Sequence, residues 1–304
     1  MSYQIGVWNV VNRLNFYNHY GNGDLFISRE FTREIMEIIP ASEYYYSHGK
    51  NTRMFADLPE LKFTPITDDH IMRRHVYRLG EDVYINTWLG VDSNYVTPAN
   101  SCSIDNSFRM YNDILKALNV PLLSKPLEEY IPKIDYSFFD VAPVDEFIRN
   151  NVDRQMVFIT NCLVQSNQAE NFEFAPIILK LCNDYPEILF IISDPISETL
   201  DNLVTTCEIT KSKDGFDLNE LSYLSLSIDL LIGRSSGPQI FSMVSENCMN
   251  PKKAFLSFTY RPESAHIVNR VPPINAKVFW SSSTSNSDVY GAICDVIKEV
   301  SEAK

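Results

Sequence analysis

Apolar runs alternate with amphipathic stretches along the chain, the pattern of an α/β protein. Gln4 to Val11 reads as a strand, and the Asn- and aromatic-rich segment that follows, up to Gly23, as a loop. From Asp24 to Ile39 the residues Ile27, Phe31, Ile35 and Ile38 recur at helical spacing, with Arg29, Glu30, Arg33, Glu34 and Glu37 opposite. Pro40 fits just beyond the end of that helix. Tyr44 to Tyr46 and Asp82 to Trp88 are further strand candidates, and Ser107 to Leu118 a helix.

Between Pro121 and Pro143 the texture changes. Pro121, Pro126, Pro132 and Pro143 are interleaved with acidic and aromatic residues, which marks a connection between two halves. The aromatic residues predict that this connection packs on something. The second half is more regular. Strands are expected at Gln155–Thr160, Ile188–Ser193, Val204–Ile209, Ile228–Ile232 and Lys253–Phe258. Helices are expected at Glu173–Asn183, Leu218–Ser225, Gly237–Val244 and Ser287–Val300. Continuous apolar strands such as QMVFIT suit a parallel sheet covered on both faces. Strict alternation implies right-handed crossovers and a doubly wound sheet, in which ligands bind where strand C-terminal ends meet helix N-termini.

Length and charge narrow the function. The 304 residues suffice for about two domains. A formal net charge of −13 argues against non-specific binding to nucleic acid or anionic membrane, because neutralising phosphates needs clustered Lys and Arg. No apolar run approaches the ~20 residues that span a bilayer, and the first residues lack the pattern of a signal peptide. The six cysteines, Cys102, Cys162, Cys182, Cys207, Cys248 and Cys294, show no CxxC spacing. They read as free thiols of a cytoplasmic protein, with a disulfide set or a zinc site as alternatives.

Chemistry is expected in two places. The first is Gly21-Asn22-Gly23-Asp24, where two glycines allow close backbone approach and the new helix offers unpaired N–H groups. Asp24 is either a helix-capping acid or a general base facing a cleft; a helix N-terminus favours the carboxylate and so opposes the second role. The second is Gly233-Arg234-Ser235-Ser236-Gly237-Pro238, after a buried strand and before a helix. Its amides suit a phosphate and Arg234 a bidentate contact, although the same residues also make an ordinary capped turn. Neither is a GxGxxG or a Walker A sequence. Asn161, Gln165 and Asn167 follow the first strand of the second half, either as ligand contacts or as a polar loop. His48, Arg53, Asn86 and Trp88 follow strand-like runs on the other side, Trp88 being equally suited to a packed core. Asp68-Asp69-His70 is a lone cluster that reads as a solvated turn, His70 and His75 do not share a helix face, and His19 and His266 give no spacing signal.

At these residues the chain resembles glycosyltransferases of the B-type fold, nearest to the lipopolysaccharide heptosyltransferase family. Gly23 to Tyr44 resembles that family's Gly-Asp turn, amphipathic helix and closing proline. Asp217 to Glu246 resembles its acidic-flanked helix, "ADLVIG" strand and D-S/T-G-P turn. Here Arg234-Ser235 stands where the family has Asn-Asp, and Gln239-Ile240 where it has a His after Gly-Pro. The resemblance implies two Rossmann-like domains facing across a cleft, residues 1–145 for the acceptor and 146–304 for the nucleotide-sugar, with the C-terminal helix packing back on the first domain. It implies inverting, metal-independent glycosyl transfer without a cofactor, onto a surface polysaccharide or lipopolysaccharide glycan. Asp24 aligns with the family's base, and Ser235, Ser236 and Gly237, flanked by Gly233 and Arg234, with its donor-phosphate turn. Asn161 and Gln165 then fall on the donor side, and Asn22, His48 and Trp88 on the acceptor side. Asn22-Gly23-Asp24 and Gly233-Arg234 also resemble the N-x-G-D and GxR segments of polysaccharide pyruvyltransferases. An inert nucleotide-sugar-binding protein is the alternative from another class.

Overall fold

The structure, a computed structural model, describes residues 11–66, 75–92, 94–95, 104–165, 169–212, 215–235, 237–260 and 274–302. The first half builds a sheet from β1 (Val11–Tyr17), β2 (Ala41–Ser47), β3 (Leu61–Thr64), β4 (Val76–Leu79) and β5 (Asp82–Asn86), with α1 (Asn22–Ile27), α2 (Arg29–Ile38) and α3 (Ile104–Leu118). After α4 (Ala142–Asn150) the second half adds β6 (Met156–Thr160), α5 (Ala175–Asp184), β7 (Leu189–Ile192), β8 (Leu203–Thr205), α6 (Thr206–Thr210) and α7 (Leu218–Ser225). It ends with β9 (Leu230–Arg234), α8 (Gly237–Ile240), α9 (Ser245–Cys248), β10 (Ala254–Phe258), β11 (Lys277–Ser281) and α10 (Asn286–Glu302).

Strand order in the first sheet is β3-β2-β1-β5-β4, parallel except for the β4–β5 hairpin. The second is parallel throughout, in the order β11-β10-β9-β6-β7-β8. Each sheet reverses its winding direction once, between β1 and β5 and between β6 and β9. The carboxyl ends of strands at such a switch point are where an open α/β sheet leaves a crevice.

The first strand departs from expectation. β1 is VNRLNFY, which after Val11 is the segment expected to be a loop, whereas residues 4–10 of the expected strand lie outside the described residues. Leu14 and Phe16 point into the core, while Asn15 bonds the Val83 carbonyl at 3.3 Å and the Arg13 guanidinium lies 5.8 Å from the Tyr45 ring centre on the other face. A strand with one polar face carries asparagines that a sequence reading assigns to a loop. The first helix is also broken. Ser28 bonds its own helix at the Leu25 carbonyl (2.7 Å) and the Tyr46 hydroxyl (2.9 Å), and the axis restarts as α2. Likewise the expected strand at Val204–Ile209 stops at Thr205, which caps α6 together with Glu208. The expected helix at Gly237–Val244 is helical only to Ile240.

The proline-rich connection is a strap across α2. Tyr130 stacks on Phe31 (ring centres 4.5 Å apart), and the backbone amides of Ser124, Lys133 and Asp135 donate to Glu34, Glu30 and Asp57 at 2.9, 3.0 and 3.1 Å. The fully buried Asp57 also pairs with Arg29, whose guanidinium reaches the Met54 carbonyl. These acids are buried because strap amides and arginine replace the water they lose. The strap continues into the second half, where Ser245 N–H donates to the Pro132 carbonyl at 2.9 Å.

One apolar core runs through both halves, from Leu14 and Phe26 to Phe241 and Phe255. A second core lies wholly in the second half, where Val289, Ile293 and Ile297 of α10 pack with α5 and β9. Among the described residues, the apolar stripe of the C-terminal helix therefore clusters with its own sheet and not, as expected, with the first domain.

Candidate functional site

The two glycine turns meet. β1 leads through residues 18–21 into α1, and β9 leads through Ser235 into α8, each turn lying beside the switch point of its own sheet. A Cβ on Gly23 would stand 3.2 Å from the Gly237 Cα and 3.1 Å from the Ile240 side chain, so the missing side chain of Gly23 lets the two backbones approach closely. Phe26 stacks on Phe241 at 4.2 Å directly behind them. The N-termini of α1 and α8, one from each sheet, thus converge.

Asp24 lies one residue from this contact, in a small recess with Ser28, Thr87, Ser107 and Tyr111 as polar walls and Ile27 and Leu89 as apolar ones. Its carboxylate reaches back to Gly21, where an added Cβ would lie 3.5 Å from Oδ2. Burial pushes its pKa up to about 6, against the pull of the Asp24 and Gly21 amides and the Lys50 charge. Desolvation outweighs the helix N-terminus, the reverse of the opposition expected from the sequence. Behind the recess, Tyr46 bonds both Ser28 (2.9 Å) and Thr87 (2.7 Å), and Asn18 donates to Thr87 (3.0 Å), which fixes the recess walls.

On the same edge, Asn22 opens α1 with a buried Oδ1 that has no hydrogen-bond partner. His48, at the end of β2, is 6 % exposed and packs against Tyr46, Phe55 and Phe63. Its Nδ1 accepts from the Lys50 N–H at 3.1 Å and its Nε2 is unpartnered. Burial lowers its pKa to about 4, so it is a neutral ring. Trp88 stacks on Tyr20 with ring centres 3.7 Å apart, and His19 meets both rings edge-on.

The second turn differs from its expected use. Arg234 is 1 % exposed, and its Nη1 donates to the carbonyls of Asn161 (2.9 Å) and Cys162 (2.8 Å) and its Nη2 to that of Phe172. Phe172 and Phe174 flank the guanidinium at 4.5 Å each. It holds the loop after β6 in place and has no free fork for a phosphate. Gly233 is small for packing reasons, since a Cβ there would lie 1.8 Å from Thr160 Oγ1. Ser235 is buried with its amide spent on the Phe258 carbonyl at 2.9 Å, and Ser236 lies outside the described residues. Gln239 is tied to β10 through Leu256 (3.1 Å) and Ser257 (3.2 Å). Asn161 braces β6 to β7, donating to the Asp194 carbonyl and accepting from its amide, both at 2.8 Å. Gln165 is exposed on the same loop; Asn167, the 68–70 cluster, Cys102 and His266 lie outside the described residues.

The whole architecture aligns with a solved structure. The chain has the fold of the family 9 glycosyl transferase from Veillonella parvula DSM 2008. The match has a TM-score of 0.51 and 14 % identity, over 95 % of this chain and 90 % of that one. E. coli heptosyltransferase WaaC with ADP aligns with a TM-score of 0.49 and 9 % identity over 95 % and 99 % of the two chains. UDP-GlcNAc 2-epimerase from Neisseria meningitidis bound to UDP-GlcNAc aligns at 0.48 and 11 %, over 94 % and 91 %. No protein-family model and no curated protein sequence matches. The B-type glycosyltransferase fold expected from the two motif stretches is thus the fold of the chain. Within that fold, sequence reasoning missed Lys50, Thr87, Ser107 and Tyr111 around Asp24, because each comes from a loop or inward helix face that only the topology brings there; Tyr20, four residues before Asp24, was passed over inside an aromatic-rich segment read as loop.

Proposed function

We propose that this chain is a glycosyltransferase that moves a sugar from a nucleotide-sugar to a hydroxyl of a glycan, with inversion and without a metal. The observation that carries it is the Gly23–Gly237 contact, which places a carboxylate of raised pKa one residue from two converging helix N-termini. A departing nucleoside diphosphate gathers negative charge. Amides and dipoles at the Gly237 and Ser236 turn would carry that charge in place of a cation. Asp24, ionised above about pH 6, would take the proton of the attacking acceptor hydroxyl, and a nearby carboxylate also suits an oxocarbenium-like sugar. The second half is the donor side, with Gln165 at its rim, and the first half the acceptor side, with Asn22, His48 and Trp88. Arg234, Gly233 and Asn161 enter as residues that shape the donor turn. Among the described residues no helix is long and apolar enough to cross a membrane. The described cysteines are unpaired thiols, which supports placement in the cytoplasm.

The test is a thermal-shift screen against UDP, GDP, ADP, CMP and their sugar conjugates, followed by a transfer assay with the nucleotide found. Ligand at 100 times its dissociation constant stabilises by about 2.7 kcal/mol. Asp24→Asn is expected to abolish transfer and leave nucleotide affinity within a few fold. Normal turnover by that variant would remove Asp24 from the chemistry.

A further inference from the structure

Tyr20 and Trp88 form an aromatic pair that the packing of the first domain does not use up. The six-membered ring of Trp88 lies on Gly90, where a Cβ would stand 2.2 Å from Cζ2. Tyr20 covers the tryptophan with an interplanar angle of 14°, and Tyr20 itself is 42 % exposed. The pair is held in place rather than loose. Tyr20 N–H donates to Asn18 Oδ1 (2.9 Å), Asn18 donates to Thr87 (3.0 Å), and Trp88 N–H donates to Asn86 Oδ1 (3.0 Å). Asn18 and Asn86 are fully buried. The same Thr87 walls the recess of Asp24. A built, flat, half-exposed ring is therefore tied through Asn18 to Thr87, a wall of the carboxylate's recess.

We infer that Tyr20, backed by Trp88, is the stacking platform for the acceptor, and that the acceptor group is a pyranose presented by its C–H face. This rests on the glycosyltransferase reading and names the substrate class of its acceptor side. A pyranose has one apolar face of C–H groups and a rim of hydroxyls. Laid on Tyr20, it buries the face on the ring and turns the rim toward Asp24. Tyr20 belongs to the first-half turn that also carries Asp24, whereas the Gly237 turn that meets Gly23 belongs to the second half, so the platform stands with the half read as the acceptor side.

Trp8→Phe and Trp280→Phe leave Trp88 as the sole tryptophan, and its fluorescence reads the platform directly. The probes are methyl β-glucopyranoside, methyl β-galactopyranoside and methyl α-mannopyranoside, with glycerol and the nucleosides adenosine, uridine, guanosine and cytidine as controls. A saturable change with at least one pyranoside is expected, weakened about tenfold by Tyr20→Ala and kept by Tyr20→Phe. The exposed position of Tyr20 leaves folding intact, which the melting temperature verifies. The inference is overturned if no pyranoside gives a saturable change, if Tyr20→Ala leaves the change unaltered, or if only nucleosides produce it. Failure of the transferase reading shows separately, as a wild-type protein that binds a pyranoside on Trp88 yet responds to no nucleotide or nucleotide-sugar.

Discussion

Asp24 carries two opposed demands on one carboxylate, and its pH behaviour separates them. An exposed Asp titrates near 3.8 and the folded group near 6, so the folded chain binds this proton more tightly than the unfolded one. Stability from this group is greatest below pH 3.8, falls as pH rises toward 6, and is level above that. Asp24→Asn removes the desolvation cost and keeps an oxygen for the Gly21 amide. The variant is expected to be more stable than the parent at pH 7.5, on the order of 1–3 kcal/mol, with the difference closing by about pH 4. His48 works in the other direction, titrating at 6.5 unfolded and near 4 folded. Its contribution is complete above pH 6.5 and is lost as pH falls to 4. Melting curves of Asp24→Asn from pH 4 to 8 should therefore show the histidine slope unmasked. In the parent, transfer is expected to fall about tenfold per pH unit below pH 6, as the base takes up its proton.

At the scale of the elements, the turn from β9 to α8 shows what spacing can and cannot say. The glycines at 233 and 237 were legible as places where the backbone comes close to something, but what it approaches was not. At Gly233 it is Thr160 on the neighbouring strand, where a Cβ has no room, whereas a Cβ on Gly237 would stand an ordinary 3.5 Å from Gly23 N of the other domain. Gly233→Ala is expected to yield largely insoluble or poorly folded protein. Thr160→Ala in the same chain should recover much of the loss, because it removes the atom 1.8 Å from the new methyl. Expression level and denaturant midpoint of the single and double variants check this. Arg234 shows the same limit. A guanidinium after a strand has the chemistry for phosphate, yet three carbonyls of the neighbouring loop claim it first. Most apolar strands of the second half were legible because both faces of that sheet are buried. β1 was not, since a strand with a polar face and three asparagine or arginine residues has the composition of a loop.

At the scale of the whole molecule, two sheets share one core. Arg53 of the first half pairs with the nearly buried Glu220 of α7 and reaches the Phe216 carbonyl at 2.8 Å, while Asn219 donates to the Arg53 carbonyl at 3.0 Å. With the Phe26–Phe241 stack, these contacts couple the halves, and calorimetry is expected to show one cooperative transition. Arg53→Ala leaves the Glu220 carboxylate without its cation and should lower stability by about 2 kcal/mol or more. Two resolved transitions in the parent would show that the halves fold independently.

The sequence by itself determined the class of fold, the approximate places of the buried strands and of the helices between them, and the two glycine turns. Those follow from local periodicity and from where a side chain is not tolerated, and both are written residue by residue. Only the tertiary structure decided that the two turns touch, that Asp24 is desolvated, that Arg234 is spent on carbonyls and that Tyr20 lies half-exposed on Trp88. Each depends on what residues far away in the chain bring to the same place, and burial and hydrogen-bond competition are properties of that neighbourhood rather than of any segment.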